Sequence, residues 1–225
     1  MAFIPLRSLP GSRSVEAEFQ RIFAWATIHL PELAASLRSG ASTQQLDEAE
    51  ALLGRKLPTE LRELYLLADG QTDDGPGLFF GLPFIPLDRL TSERKTWDEV
   101  ADQGGDDGIS SEFLSSDPAG AIQLRYAHRG WLPVSHDWGG NHIGVDIEPG
   151  PSGTLGQVIN FGRDEDAMYV MANSLSAFLG WLADSLAAGN FRIERNPEGE
   201  TGEVEFLLAE PQNEHFLDAI QELAD

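Results

Sequence analysis

Three consecutive side chains, Ser135, His136 and Asp137, are of the types that form the catalytic triad of serine hydrolases. A triad requires a nucleophile, a base and an orienting acid that form a hydrogen-bonded chain in space. Neighbours along the chain cannot fold back into that geometry. We therefore interpret these residues as a loop that follows a strand, and we predict no catalytic residue in this sequence.

Metal and phosphate chemistry are also disfavoured. His128, His136 and His142 could gather around a metal with Asp137 or Asp146, but zinc ligands usually show tight, regular spacing and these do not. The acidic pairs and triplets lack the Gly and Glu of a calcium loop. The Gly-rich turn at residues 150–156 lacks the Lys-Ser/Thr pair of a phosphate loop. The sequence predicts no metal, no cofactor and three partly exposed loop histidines.

The loop at residues 136–141 has a different character, because Trp138 lies in a polar turn followed by two glycines. An exposed tryptophan among acidic residues is typical of the anchor of a protein interface. The alternative is that Trp138 folds back as a lid on the core. Both interpretations remain open at the level of sequence.

Helices before and after this loop must position it. Ser14 is a plausible N-cap for a first helix, and Pro31 interrupts its apolar stripe. Ser42 and Gln45 offer a capping box for a second helix, and Gly54 stands where its C-terminal cap belongs. Residues 42–69 therefore predict a helical hairpin, and the stripe over residues 175–186 predicts a closing helix.

The middle of the chain has the two-residue period of strands. Residues 142–147 alternate, residues 131–134, 157–161 and 168–171 are further candidates, and residues 78–80 form a short apolar run. Two more alternating segments, 191–195 and 204–208, lie in the tail. Strands collected in the middle, with helices on either side, predict an α+β fold in which helices pack on a central mixed or antiparallel sheet.

Charge limits the class of partner. The chain of 225 residues carries 37 acidic and 15 basic side chains, for a formal net charge of -22. Phosphates would be repelled, which disfavours nucleic acid and anionic membranes and favours a basic protein. An acidic surface that serves only solubility is the competing explanation. With no cysteine and no secretory signal pattern, we expect a cytoplasmic protein without disulfides.

Several motifs in order resemble the SUKH superfamily, which includes fungal cell-wall-synthesis regulators of the Smi/Knr type. The first group of motifs is Leu46-Asp47-Glu48-Ala49-Glu50, Leu53-Gly54, Leu57-Pro58, Leu61-Arg62-Glu63-Leu64-Tyr65 and Asp69-Gly70. The second is Gly77-Leu78-Phe79-Phe80-Gly81-Leu82, Trp131-Leu132-Pro133-Val134, Gly139-Gly140-Asn141, Val145-Asp146-Ile147, Gly156-Gln157-Val158 and Phe161-Gly162-Arg163-Asp164. The match covers roughly residues 42–187. It implies helices packed on one mixed sheet, and it implies the usual bacterial role, an immunity protein that neutralises a toxin.

From this resemblance and the charge we expect three regions. They are an N-terminal helical extension at 1–41, a SUKH-like core at 42–189, and a C-terminal hairpin and helix at 190–225 packed on the core. Residues 103–120 read as an acidic, mobile loop inserted in the core.

The expected function is a non-enzymatic immunity protein whose acidic face attracts a basic toxin domain. The alternative is a regulatory or scaffold adaptor that binds a cellular protein. An enzyme would need a cleft with coupled, perturbed titratable groups, and the sequence gives no reason to expect one. The predicted partner-binding residues are Asp73, Asp74, Asp106, Asp107, Asp137, Trp138, Asn141, Asp164, Glu165 and Asp166.

Overall fold

The computed structural model describes residues 13–102, 111–195, 204–212 and 215–224. Its helices are α1 (Val15–His29), α2 (Pro31–Ser36), α3 (Thr43–Leu53), α4 (Thr59–Leu67), α5 (Leu87–Asp102), α6 (Leu175–Ala187) and α7 (Ile220–Ala224). Its strands are β1 (Ser115–Asp117), β2 (Trp131–Pro133), β3 (Asn141–Asp146), β4 (Gln157–Gly162), β5 (Ala167–Ala172), β6 (Phe191–Arg195) and β7 (Val204–Leu208).

The helix ends follow from local side-chain chemistry. The Ser14 hydroxyl accepts a hydrogen bond from Ala17 N–H at the start of α1. Ser42 and Gln45 form the predicted capping box of α3, which ends at Gly54 with a φ of 67°. Side-chain acceptors at an N-cap satisfy N–H groups that have no partner within the helix, and glycine adopts positive φ without steric cost. These predicted caps are confirmed.

Five strands form a mixed sheet in the order β1-β5-β4-β3-β2. The pairs β2–β3, β3–β4 and β4–β5 are antiparallel, whereas β1 pairs with β5 in parallel. The predicted α+β class, with helices on a central mixed sheet, is confirmed.

Both faces of this sheet are covered. On one face, Ile143 and Val145 join Phe178 and Leu182 of α6 in the main core. On the opposite face, Trp97 of α5 joins Trp131 and Phe161 in a smaller apolar cluster. Every residue of β3 is consequently buried, including His142 and Asp146.

The N-terminal helix and the tail share the main core. Trp25 of α1 contacts Phe191 of β6 and Phe206 of β7, with ring centroids 4.7 and 5.6 Å apart. Phe216, in a 3₁₀ turn before α7, lies against Phe80 and Trp181. One apolar cluster therefore extends from α1 to α7. The division of the chain into three regions remains a prediction.

Two segments differ from their predicted structure. Residues 78–80 form a buried turn rather than a strand, in which Phe80 adopts a positive φ of 48°. Within residues 103–120, which were predicted as a loop, Ser115–Asp117 forms β1, because its backbone pairs with β5 more than forty residues later in the chain. Residues 103–110 of that segment lie outside the described residues. Among the described helices, none has the length and apolar character needed to cross a bilayer.

Candidate functional site

Trp138 lies in the turn between β2 and β3 and is the feature around which the candidate site is built. Its side chain is 64% exposed, and its backbone has a φ of 63°. A non-glycine residue in this left-handed region costs roughly 1–2 kcal/mol. Such a cost persists only where surrounding interactions hold the backbone, and it occurs preferentially at functional sites. Trp138 is thus exposed and does not fold back as a lid on the core; its role as an interface anchor remains a prediction.

Asp137 holds the turn in shape. Its Oδ1 accepts hydrogen bonds from Gly139 N–H (2.7 Å) and Asn141 N–H (2.8 Å), and its Oδ2 accepts one from Asn141 Nδ2 (2.7 Å). Burial opposes ionisation of Asp137, but these three hydrogen bonds outweigh it and lower the pKa of this carboxyl. Asn141 Oδ1 in turn accepts from Asp164 N–H (2.9 Å), which ties the turn to the one after β4.

Two side chains flank the Trp138 ring. The His136 ring lies 3.8 Å from it between centroids, and the Arg89 guanidinium carbon lies 5.2 Å from its centroid. Arg89 also forms an ion pair with Glu93 at 2.7 Å. Burial, then the neighbouring Arg89 charge, lowers the pKa of His136 to about 4, so this imidazole is neutral at pH 7.

A cleft of about 480 Å³ opens beside the ring. Pro83 and Pro86 line it from the segment before α5, Asp88 and Ser92 from the first turns of α5, and Asp73 from the loop after α4. The volume falls within the range of ligand-binding clefts. Trp138 and His136 line the same cleft, so the exposed ring and the cleft form one continuous surface.

Gln71 fixes the segments that line the cleft. Its buried amide donates to Ser36 Oγ (2.8 Å) and Pro76 O (3.0 Å), and its Oε1 accepts from Leu78 N–H and Phe84 N–H (both 2.9 Å). The four bonds reach three stretches of chain. One side chain thereby joins the end of α2, the buried turn and the segment before α5.

The structure brings some predicted partner-binding residues together. Asp73 and Trp138 line one cleft, while Asp137, Asn141 and Asp164 form the hydrogen-bonded support of the turn. Asn141 is buried, so it supports the turn through hydrogen bonds and does not itself face a partner. Asp74 and Asp166 are exposed, and Asp106 and Asp107 lie outside the described residues.

Glu165 is directed inward, unlike its two acidic neighbours. Its carboxylate accepts a hydrogen bond from Asn160 Nδ2. Burial raises the pKa of Glu165 to about 7, and the charges of Asp218, Asp137 and Asp164 add to that effect. The turn after β4 therefore gains negative charge as the pH rises through neutrality.

The triad-like residues have separate partners. Ser135 Oγ accepts from Ile143 N–H (2.9 Å), His136 lies beside Arg89, and Asp137 binds the N–H groups of its own turn. Within the part of the chain that the structure describes, no group of three or more His, Asp or Glu side chains is placed to share a metal ion.

The expectation of partly exposed histidines is wrong for two of the three. His142 is 1% exposed because the sheet is covered on the face to which α5 adds Trp97. His136 is 4% exposed and lies against the Trp138 ring and Arg89. His142 Nε2 accepts from Trp97 Nε1 (3.0 Å), and its Nδ1 lies 2.8 Å from Ser135 O. A proton on Nδ1 satisfies both bonds, so this imidazole is neutral.

Sequence reasoning missed Arg38, Arg89 and Gln71. Arg38 pairs with the buried Asp69 at 3.1 Å, and Asp69 also accepts from Leu87 N–H at the start of α5. The motif Asp69-Gly70 was the available signal for that pair. No local pattern marks Arg89, because its position over Trp138 depends on how α5 docks on the sheet.

Comparison with known proteins gives one family and several relatives. The model of the SMI1 / KNR4 family (SUKH-1) matches residues 40–181. A KNR4/SMI1 homolog of Yarrowia lipolytica is 34% identical over 84% of this chain and 33% of its own length. The cell wall biosynthesis/cell cycle regulator smi1 of Schizosaccharomyces pombe is 35% identical over 81% of this chain and 38% of its own length.

A third relative, the glucan synthesis regulatory protein of Neurospora crassa, is 31% identical over 83% of this chain and 41% of its own length. The chain therefore spans less than half of the length of these relatives. Their names describe fungal regulators of the cell wall, the cell cycle and glucan synthesis. The expectation of a bacterial immunity protein that neutralises a toxin is wrong, since the relatives support the regulatory alternative.

Proposed function

Because the chain belongs to the SMI1/KNR4 family (SUKH-1), as the resemblance of its motifs indicated, we propose that it is a regulatory or scaffold module that binds a cellular protein. The relatives named as regulators support this class of function. The observation that carries the proposal is Trp138, an exposed aromatic ring held on a rigid, strained turn beside a cleft. Tryptophan anchors of this kind dominate the binding energy of protein interfaces.

We propose that the module is not an enzyme. Catalytic sites bring perturbed titratable groups to one place with a nucleophile or an electrophile. Among the described residues, two carboxylates have raised pKa values, and they lie apart, since Asp146 ends β3 whereas Glu165 follows β4 next to the start of β3. Asp146 is buried, and Gln157 Nε2 and Glu148 N–H donate to it.

By analogy with the names of its relatives, the process that the module regulates is cell-wall or glucan synthesis. The partner is a protein with a basic surface, as the formal charge of -22 favours, rather than a nucleic acid or a membrane. We place the interaction in the cytoplasm, which suits a chain without cysteine.

Affinity capture with matched baits tests the proposal. Wild-type protein, Trp138→Ala and Leu155→Ala are immobilised, and proteins bound from a lysate of the source cells are quantified by mass spectrometry. Leu155 is the control because it is 71% exposed and lies at the opposite end of β3. We expect one partner, or a small set, to bind the wild type and Leu155→Ala but to be depleted at least tenfold on Trp138→Ala.

Equal recovery of every protein on the wild type and Trp138→Ala would show that this surface is not the binding site. Proteins that bind Trp138→Ala as well as the wild type at low salt, and are lost from all three baits at high salt, would be held by the acidic charge without the ring, which would also contradict the proposal. Circular dichroism of the three baits establishes that they are equally folded.

A further inference from the structure

The ring of Trp138 already contacts a guanidinium group. The Arg89 guanidinium carbon lies 5.2 Å from the ring centroid, within the roughly 6 Å at which a cation is attracted to the face of an aromatic ring. The Arg89 side chain is 41% exposed and belongs to the first turns of α5. Arg89 thus shows directly which kind of chemical group this ring accepts.

Carboxylates surround the place where this cation lies. Asp73 and Asp88 line the cleft, while Asp69 and Glu93 pair with its two arginines, so four carboxylates face two guanidinium groups. Asp164 lies on the other side of the turn, where it is exposed and pairs with Arg163 at 3.8 Å. The charged groups at the cleft therefore have an excess of negative charge, and so does the whole chain. For both reasons the site favours a further cation over an anion.

The ring is held in place before any partner binds. The three hydrogen bonds to Asp137 fix the backbone on both sides of it, and the buried His136 ring contacts it. A preorganised site loses little conformational entropy when it binds. Pro83 and Pro86 line the same cleft as the ring, so apolar contacts are available beside it among the charged side chains.

We propose that the Trp138 ring and the cleft beside it bind an arginine or lysine side chain from an extended, basic segment of the partner protein, and that Arg89 occupies the ring only until that segment binds. Since this ligand class concerns the same surface, it rests on the proposed function. The cationic side chain of the partner binds over the face of the Trp138 ring, and the residues next to it in the partner's segment lie along the cleft beside Pro83 and Pro86. Asp73 and Asp88 neutralise further basic residues of that segment.

An acidic or phosphorylated segment is the competing ligand, since Arg38 and Arg89 both reach the cleft. Arg38 is already paired with Asp69, and Arg89 with Glu93. An anion would therefore have to break an existing ion pair and approach a surface with excess negative charge. The basic ligand requires only that Arg89 move aside.

The test titrates the protein into fluorescein-labelled decapeptides and follows fluorescence anisotropy. One peptide alternates proline with arginine, and the other alternates proline with glutamate. Proline keeps both probes extended, so that little entropy is lost on binding. We expect the arginine peptide to bind wild-type protein at least tenfold more tightly than the glutamate peptide.

Three variants then separate the ring from the long-range charge. Trp138→Ala leaves the net charge unchanged and should weaken binding of the arginine peptide about tenfold, while Trp138→Phe, with a weaker aromatic face, should lie between. Arg89→Gln should tighten binding at least threefold, because it frees the ring and removes a like charge. Leu155→Ala should bind as the wild type does.

Weaker binding by Arg89→Gln would overturn the proposal, since Arg89 would then support the ligand instead of yielding to it. Unchanged binding by Trp138→Ala, or tighter binding of the glutamate peptide, would overturn it as well. A partner that depends on Trp138 in the affinity capture but binds through a segment without arginine or lysine would contradict this ligand class and leave the proposed function standing.

Discussion

Trp138 combines exposure with backbone strain, and these two properties can be separated by substitution. Alanine and glycine both remove the indole ring, but only glycine adopts the φ of 63° without steric cost. We expect Trp138→Gly to have a higher free energy of unfolding than Trp138→Ala by about 1 kcal/mol. Both variants should lose binding equally, because both lack the ring.

Urea denaturation of the two variants at one pH provides the comparison. Equal unfolding free energies would mean that the turn relaxes to negative φ when the ring is gone. In that case the ring would hold the backbone, rather than the hydrogen bonds to Asp137.

Gln71 acts at the scale of elements, because its amide joins separate segments beneath the cleft. Replacing it with leucine leaves the N–H groups of Leu78 and Phe84 without their acceptor in a buried environment. Since each buried unsatisfied group costs roughly 1–3 kcal/mol, we expect Gln71→Leu to lower the free energy of unfolding by about 3 kcal/mol.

Gln44→Leu is the matched control, because Gln44 is exposed on α3 and bonds only to the neighbouring Glu48 in the described contacts. It should change stability by less than about 0.5 kcal/mol. A comparable loss in both variants, measured by chemical denaturation, would refute the role assigned to Gln71.

The contact between α5 and β3 should depend on pH through His142. Burial lowers the pKa of this imidazole, and Trp97 Nε1 donates to its Nε2. A histidine whose pKa is lower in the folded state contributes stability that is present above about pH 6.5 and is lost as the pH falls through the folded-state value. Trp97→Phe removes the donor and lets His142 take up a proton more easily.

We therefore expect Trp97→Phe to be less stable than the wild type at pH 7.5, by about 1 kcal/mol or more for the lost hydrogen bond. The difference should shrink at pH 5. His136, Asp146 and Glu165 titrate in both proteins, so the comparison isolates His142. A difference that stays constant between the two pH values would contradict this account.

Elements defined by local chemistry could be predicted from the sequence. Ser14, Ser42 and Gly54 mark helix ends because each acts on its own neighbours. Strand β1 could not be predicted, because Ser115 pairs with Ala167 and its own three residues carry no apolar pattern. Long-range contacts limit the prediction of the site in the same way. Trp138 was predicted to bind a partner but Arg89 was not, since α5 brings the two side chains together only in the folded chain.

At the scale of the whole molecule, the net charge of -22 affects stability and binding in opposite directions. Like charges repel one another in the folded chain, and salt screens that repulsion over a Debye length of about 10 Å at 0.1 M. Raising sodium chloride from about 20 to about 500 mM should therefore raise the melting temperature. The same change should weaken binding of the basic segment, because it screens the attraction.

Calorimetry and the anisotropy titration at matched salt concentrations measure the two effects. If binding is insensitive to salt while the melting temperature rises, the acidic surface serves solubility and does not attract the partner.

Site-directed crosslinking in living cells tests the central claim most directly. A photoreactive benzoylphenylalanine is placed at Ser92, an exposed residue that lines the cleft, or at Leu155 as the distant control. A crosslinked protein that forms from position 92, is absent from position 155 and disappears when Trp138→Ala is added would be the result that we predict. Adducts of the same protein from both positions, or an adduct at position 92 that survives Trp138→Ala, would contradict the assignment of this surface as the partner-binding site.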